Sequence, residues 1–406
     1  MARNEAAVES HAHLAGSGDP SPRQEPAPLR ISSVEDLVIV RNFLCATGYS
    51  ADNLRDQFGV NNGRQLFISG PRQAFEGSLL ELLVCLFILE ESVKTDSLFE
   101  RGMPPSVCQA MERLDMLRSY QHAPDFVTAP VRLQPFGDLL IASDRHIKLD
   151  LTTDRLDDRV FDPNDDSARA FAAYAPNASC HRFLELCSGS AVCAIRAARN
   201  FAECAWACDI SERSGHFAQF NKMLNGVSNL TVCVGDLFEP VRDSCFDCII
   251  MHPPYRPAPH KSDSTVLCRD AGELGEDVIF RVIAELPRHL SPGGCFYAYS
   301  GMPERRDMTI EELLRRHLGD FSEKFDVLVM IESESSPTQI AREIQMQSDA
   351  HPLQTLEQLE LFRRHGISRF VQCATVLHRI ATRREVYTKR YYLSERHALY
   401  LNCELT

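Results

Sequence analysis

The chain has 406 residues, with 43 basic against 56 acidic side chains, a net charge of −13 and 44% hydrophobic residues. That is room for two or three domains and an ordinary soluble composition. It is the wrong balance for a tight nucleic-acid binder, which neutralises phosphates. No apolar run approaches the roughly 20 residues of a membrane span, and the first residues lack the apolar core of a signal peptide, so a cytoplasmic location is expected.

Two features could suggest other classes. Fifteen cysteines in a long chain without an export signal read as small buried hydrophobes rather than a disulfide frame. Cys245 and Cys248 sit three apart on a predicted strand and therefore point to opposite faces, so no metal is expected. Arg305, Arg306, Arg315 and Arg316 are close in sequence, as are Arg383 and Arg384, and both groups read as solvated faces or loops in preference to a basic patch.

Residues 1–30, rich in Pro, Ser, Gly and charge, are expected to be a disordered tail. Residues 31–150 read as a mostly helical, winged-helix-like N-terminal domain. Ser33 caps a first helix that stops at Gly48, a second fits 50–60, and a dense apolar third fits 77–92. A shorter helical piece follows at 104–117, and 125–143 alternates like a strand pair. Such a domain is a DNA reader or a substrate-facing or dimerising cap, and the acidic charge favours the cap.

From Arg182 strands and helices alternate, the signature of a parallel sheet covered on both faces, in a domain spanning 151–406. A helical insertion at about 337–366 interrupts the alternation. It reads as a lid or as a structural decoration.

The chemistry gathers at successive strand ends. After the first strand comes Cys187-Ser188-Gly189-Ser190-Ala191, a turn of small residues that lets backbone N–H groups approach a ligand. It lacks the three glycines of a dinucleotide fingerprint, so a pyrophosphate ligand is disfavoured. Asp209 ends the second strand, placed to bind a ribose diol. Asp236 ends the third, placed to take an adenine amino group. His252-Pro253-Pro254-Tyr255 ends the fourth. In an open α/β sheet these ends line the ligand crevice.

These residues resemble class I S-adenosylmethionine-dependent methyltransferases with an Asn-Pro-Pro-Tyr motif, among them release-factor glutamine methyltransferases and methyltransferase small domain proteins. The likeness is specific over about 182–300, and the segment 131–145 is similar to one that precedes the catalytic domain in some small-domain enzymes. It implies an α/β, Rossmann-like seven-stranded methyltransferase sheet. It also implies S-adenosyl-L-methionine as cofactor, with S-adenosylhomocysteine as product. Glu185 and the backbone of Cys187, Ser188, Gly189 and Ser190 would hold the methionine end, Asp209 and Ile210 the ribose and adenine, and Asp236 and Leu237 the adenine. His252 stands where the motif has asparagine. With Pro253, Pro254 and Tyr255 it would meet the substrate, His252 would also border the cofactor, and His252 and Tyr255 are the expected catalytic residues.

A neutral imidazole has one donor and one acceptor, cannot copy the two parallel hydrogen bonds of an amide pair, and titrates near pH 6.5. His252 is therefore expected to orient, or take a proton from, an acceptor N–H or O–H. The leading expectation is methyl transfer to nitrogen or oxygen of a small molecule, possible in specialised metabolism. The alternatives are a protein (glutamine-type) or ribosomal RNA N-methyltransferase, non-methylating chemistry with the same cofactor, and a ligand-sensing DNA-binding protein. A homodimer is left open.

Overall fold

A computed structural model describes residues 28–59, 65–66, 77–120, 123–145, 158–258, 271–347, 352–382 and 384–393. The predicted tail up to residue 27 and Arg383 lie outside the described residues.

The N-terminal helices begin where a side chain can satisfy the free N–H groups of a first turn. Ser33 caps Val34–Ala46, Ser50 caps Ala51–Phe58, and Ser78 with Glu81 forms a reciprocal capping box on Leu79–Phe87. Thr95–Glu100 and Pro105–Arg113 follow. The expected strand pair is larger than foreseen. β1 (Val93–Lys94), β2 (Arg118–Tyr120) and β3 (Ala123–Thr128) form one antiparallel sheet, and β4 (Val131–Phe136) and β5 (Leu139–Asp144) form a separate hairpin.

The central sheet contains β6 (Cys180–Leu186), β7 (Ala202–Asp209), β8 (Leu230–Val234), β9 (Phe246–Met251), β10 (Leu290–Arg305), β11 (Phe325–Ser335), β12 (Ile367–Arg379) and β13 (Thr388–Tyr392). Their order across the sheet is β13-β11-β12-β10-β9-β6-β7-β8. The strands β8 to β10 run parallel, β12 runs antiparallel to both its neighbours, and β13 runs parallel to β11. The seven expected strands are all present, and β13 is an eighth. Strand order across the sheet reverses between β6 and β9, and ligands of such folds bind at that switch point.

Two apolar cores flank the sheet. One is built on Phe246, Phe296 and the helices Asp277–His289 and Ile310–Leu318, the other on Phe183, Tyr297 and the helix Val192–Asn200. The helix Asp277–His289 begins only after Gly272 and Gly275, both left-handed. The insertion is a pair of helices, Pro337–Gln347 and Pro352–Arg364, packed through Ala341 and Phe362 on Phe370 of β12. Arg256 reaches it with an ion pair to Glu343 at 3.1 Å.

The N-terminal elements are not a detached module. Phe217, Phe220 and Leu224 of the helix Glu212–Leu224 belong to the same core as Leu37, Leu83 and Leu133. Asn221 and Asn225 of that helix accept the N–H groups of Ala142 and Leu140 on β5. Arg305, Arg315 and Arg384 are engaged by Glu276, Thr388 and Asp326. Cys245 is exposed while Cys248 is buried on β9.

Candidate active site

The turn after β6 is tight: the Ala191 N–H donates to Ser188 O at 2.7 Å. Cys187 and Ala191 lie in the left-handed region, at φ +53° and +60°. That conformation costs an L-residue roughly 1–2 kcal/mol, a cost glycine would not carry. Gly189 is also left-handed, and a Cβ added to it meets no atom within 4 Å, because that side of the turn faces the open crevice.

Neighbouring strands hold the turn. Asp209, ending β7, accepts the Gly189 N–H at 2.8 Å and the Ser211 N–H at 3.0 Å. Burial raises its carboxyl pKa against those bonds. The fully buried Asn221 donates to the carbonyls of Ser190 and Ala142 at 3.1 and 3.0 Å. Glu185 accepts the Ala194 N–H at 2.6 Å, in the first turn of the helix Val192–Asn200. Burial pushes its carboxyl up to about 8. Asp236, after β8, pairs with Arg281 at 2.5 Å, a partner no sequence signal indicated. Leu237 beside it is again left-handed, at φ +49°.

His252 follows β9 inside an aromatic box. Its ring stacks on Phe171 (5.4 Å, 26°) and Tyr255 (5.9 Å, 26°) and meets Tyr299 edge-on at 5.7 Å. The Tyr299 hydroxyl donates to Glu332. The Nε2 of His252 is enclosed and has no hydrogen-bond partner among the described residues. Burial pushes the ring down to about 4, so it is neutral at neutral pH. The expected titration near 6.5 is corrected accordingly, and with it the role of a base tuned to neutral pH.

The turn, Glu185, Asp209, Asp236, Arg281, Phe171, His252 and Tyr255 line one cavity of about 550 Å³, within the usual range for small ligands. It is lined by each residue expected from sequence: Glu185, Cys187, Ser188, Gly189, Ser190, Asp209, Ile210, Asp236, Leu237, His252, Pro253, Pro254 and Tyr255. Sequence reasoning missed Arg281, Phe171 and the irregular segment 158–168. Nothing periodic in the sequence marks Val160 to Pro163.

Two carboxylates and the buried carboxyl of Glu185, around a small-residue turn, suit a cationic ligand that also presents hydroxyl and amino groups. S-adenosylmethionine fits: it carries a sulfonium, an amino group, a ribose diol and an adenine amine. A Cβ on Gly189 would project into the open space beside this turn. On the acceptor side, a Cβ added to Gly301 would come within 2.8 Å of the Tyr255 ring. The variant Gly301→Ala is expected to displace Tyr255 and lower turnover. Calorimetric affinity for S-adenosylhomocysteine should stay within about threefold of native, because a change confined to the acceptor side acts independently of the cofactor side.

A family model described as Methyltransferase small domain matches residues 160–325. The ribosomal protein uL3 glutamine methyltransferase of Bradyrhizobium diazoefficiens is 37% identical over 122 residues, covering 28% of this chain and 38% of that protein. A release factor glutamine methyltransferase of Thermodesulfovibrio yellowstonii is 38% identical over 76 residues, 18% of this chain and 27% of its own length. A putative protein N5-glutamine methyltransferase of Methanocaldococcus jannaschii is 35% identical over 114 residues, 27% of this chain and 57% of its own. The chain thus spans less than two thirds of the length of each. No helix among the described residues is long and apolar enough to cross a membrane. Sheet, crevice and matched segment agree on a Rossmann-like methyltransferase fold with S-adenosylmethionine as its cofactor, residues 160–325 being the matched part.

Proposed function

We propose that the protein transfers a methyl group from S-adenosylmethionine to nitrogen, and that the acceptor is a protein side chain of the glutamine type. The observation that carries this is the enclosed, unpartnered Nε2 of His252 at the end of β9, directly beside the cofactor crevice. Relatives that match part of this chain are named for glutamine methylation.

When bound, the cofactor supplies an electrophilic methyl carbon on its sulfonium. Glu185 and the Cys187–Ser190 backbone hold the methionine end. Asp209 orients the ribose, and Asp236, kept in place by Arg281, takes the adenine amine. His252 is too weakly basic to be a general base at neutral pH. Its ring offers one hydrogen bond to the acceptor and fixes the direction of the nitrogen lone pair. Alignment of this kind is worth several kcal/mol of barrier. Tyr255 and Phe171 bound a narrow, planar group and exclude water. His252 stands in for an asparagine amide and makes one such bond where the amide makes two.

A second reading, a small-molecule nitrogen or oxygen acceptor, draws on that same enclosure: the walls around Nε2 admit only a slender group. Incubation of the purified protein with methyl-labelled S-adenosylmethionine and a fractionated cell extract separates the two. Label in the protein fraction, recovered as N5-methylglutamine after digestion, supports the first. Label confined to the low-mass filtrate removes it in favour of the second.

A further inference from the structure

We infer that the N-terminal part of the chain is a working wall of the cofactor site, and that Arg132 and Asp162 are the positioning residues that make it so; this rests on the cofactor reading above. The segment 158–168 lines the same crevice as the small-residue turn, yet it belongs to no strand before its helix begins at Asp166. Irregular backbone holds its course only where something fixes it.

What fixes it comes from the N-terminal elements. The N–H of Val160 donates to the Asp144 carboxylate at 2.9 Å, and its carbonyl accepts the Asp144 N–H at 3.1 Å. Two residues on, Asp162 turns inward and is 2% exposed. One of its oxygens accepts the Asn164 N–H at 2.8 Å, closing a local turn. The other accepts from Gln134 at 3.1 Å and lies 3.4 Å from the Arg132 guanidinium. Arg132 and Gln134 share one face of β4, and both are fully buried. Arg132 also pairs with Glu90 at 3.3 Å, and Glu90 sits in a left-handed conformation unusual for its type, at φ +60°.

A buried ion pair is a poor way to gain stability, because apolar residues of similar volume often do as well or better. What it adds is a defined geometry. Here that geometry passes from the end of the helix Leu79–Phe87, through β4, to the strap over the crevice. Strained backbone and buried charge both serve to place residues 160–164.

The test uses the full chain and S-adenosylhomocysteine titrated by calorimetry, with melting curves to confirm folding. Asp162→Asn and Arg132→Met are expected to bind about tenfold or more weakly, the loss of roughly one well-placed hydrogen bond or more, and Arg132→Lys to recover part of that. Arg390→Met, which breaks an ion cluster with Glu304 and Glu311 away from the crevice, is expected to melt earlier yet bind as native. Should Arg132→Met fail to fold, hydrogen exchange on the native chain decides: the ligand is expected to protect amides of 158–168. Folded Arg132 and Asp162 variants within twofold of native, an equal loss in Arg390→Met, or no protection of 158–168 each overturn the inference. If the native chain binds no S-adenosylhomocysteine, the cofactor reading itself falls, and the strap's role with it.

Discussion

The variant Glu185→Gln is expected to melt at a higher temperature than the native chain while losing most of its affinity for S-adenosylhomocysteine. The carboxyl is buried and protonates at about 8, against 4.5 in an ordinary setting. The native state therefore holds a proton that the unfolded chain releases. The stability this proton confers is complete below pH 4.5 and is lost as pH rises towards 8. At pH 7 the deficit is on the order of 3 kcal/mol. Glutamine is always neutral and its carbonyl can still accept from Ala194, so the deficit disappears.

The same proton must leave when a cationic amino group arrives beside the carboxylate. Native affinity should then rise between pH 6 and 8 by close to tenfold per unit, and the slope should vanish in the glutamine variant. Binding measured calorimetrically in two buffers of different ionisation enthalpy would show proton release from the native chain only. A pH-independent native affinity would show that Glu185 does not meet the charged end of the ligand.

The second large effect concerns His252. His252→Ala is expected to lower turnover about 100-fold, the scale of a lost positioning contact at the reacting group, with ligand affinity nearly unchanged. Because burial keeps the ring neutral down to about 4, native turnover should be flat in pH across the neutral range as far as this residue is concerned. His252→Asn, which restores an amide at that position, should retain more activity than His252→Ala. A native pH profile with an apparent pKa between 6 and 7 that disappears in His252→Asn would contradict this, and would make the ring a titrating base.

Much of the site was legible because each strand that contributes to it ends in a residue whose chemistry is unusual for a strand end. Asp209, Asp236 and His252 each follow an apolar run, and parallel topology forces such ends together. What escaped was whatever lacks period or partner in sequence. The strap 158–168 is fixed through Asp162 and Asp144, by bonds that reach 28 and 16 positions back to β4 and β5 and leave no local pattern. Arg281 meets Asp236 across 45 positions. The ring pKa of His252 depends on Phe171, Tyr255 and Tyr299 closing around it, which no motif encodes. β13 escaped for a different reason: Thr388–Tyr392 is polar, charged and mostly exposed, so it shows no buried alternation.

That last strand has a consequence for solubility. β11 carries the apolar run Val327 to Ile331, and without β13 its outer edge would present unpaired N–H and C=O groups along that run. Such an edge is a template for another chain. β13 covers it with a strand whose own outward residues, Lys389, Tyr391 and Tyr392 among them, are exposed, and a lysine on an edge discourages further pairing. Shortening the chain ahead of Thr388 is therefore expected to turn a covered sheet margin into a sticky one.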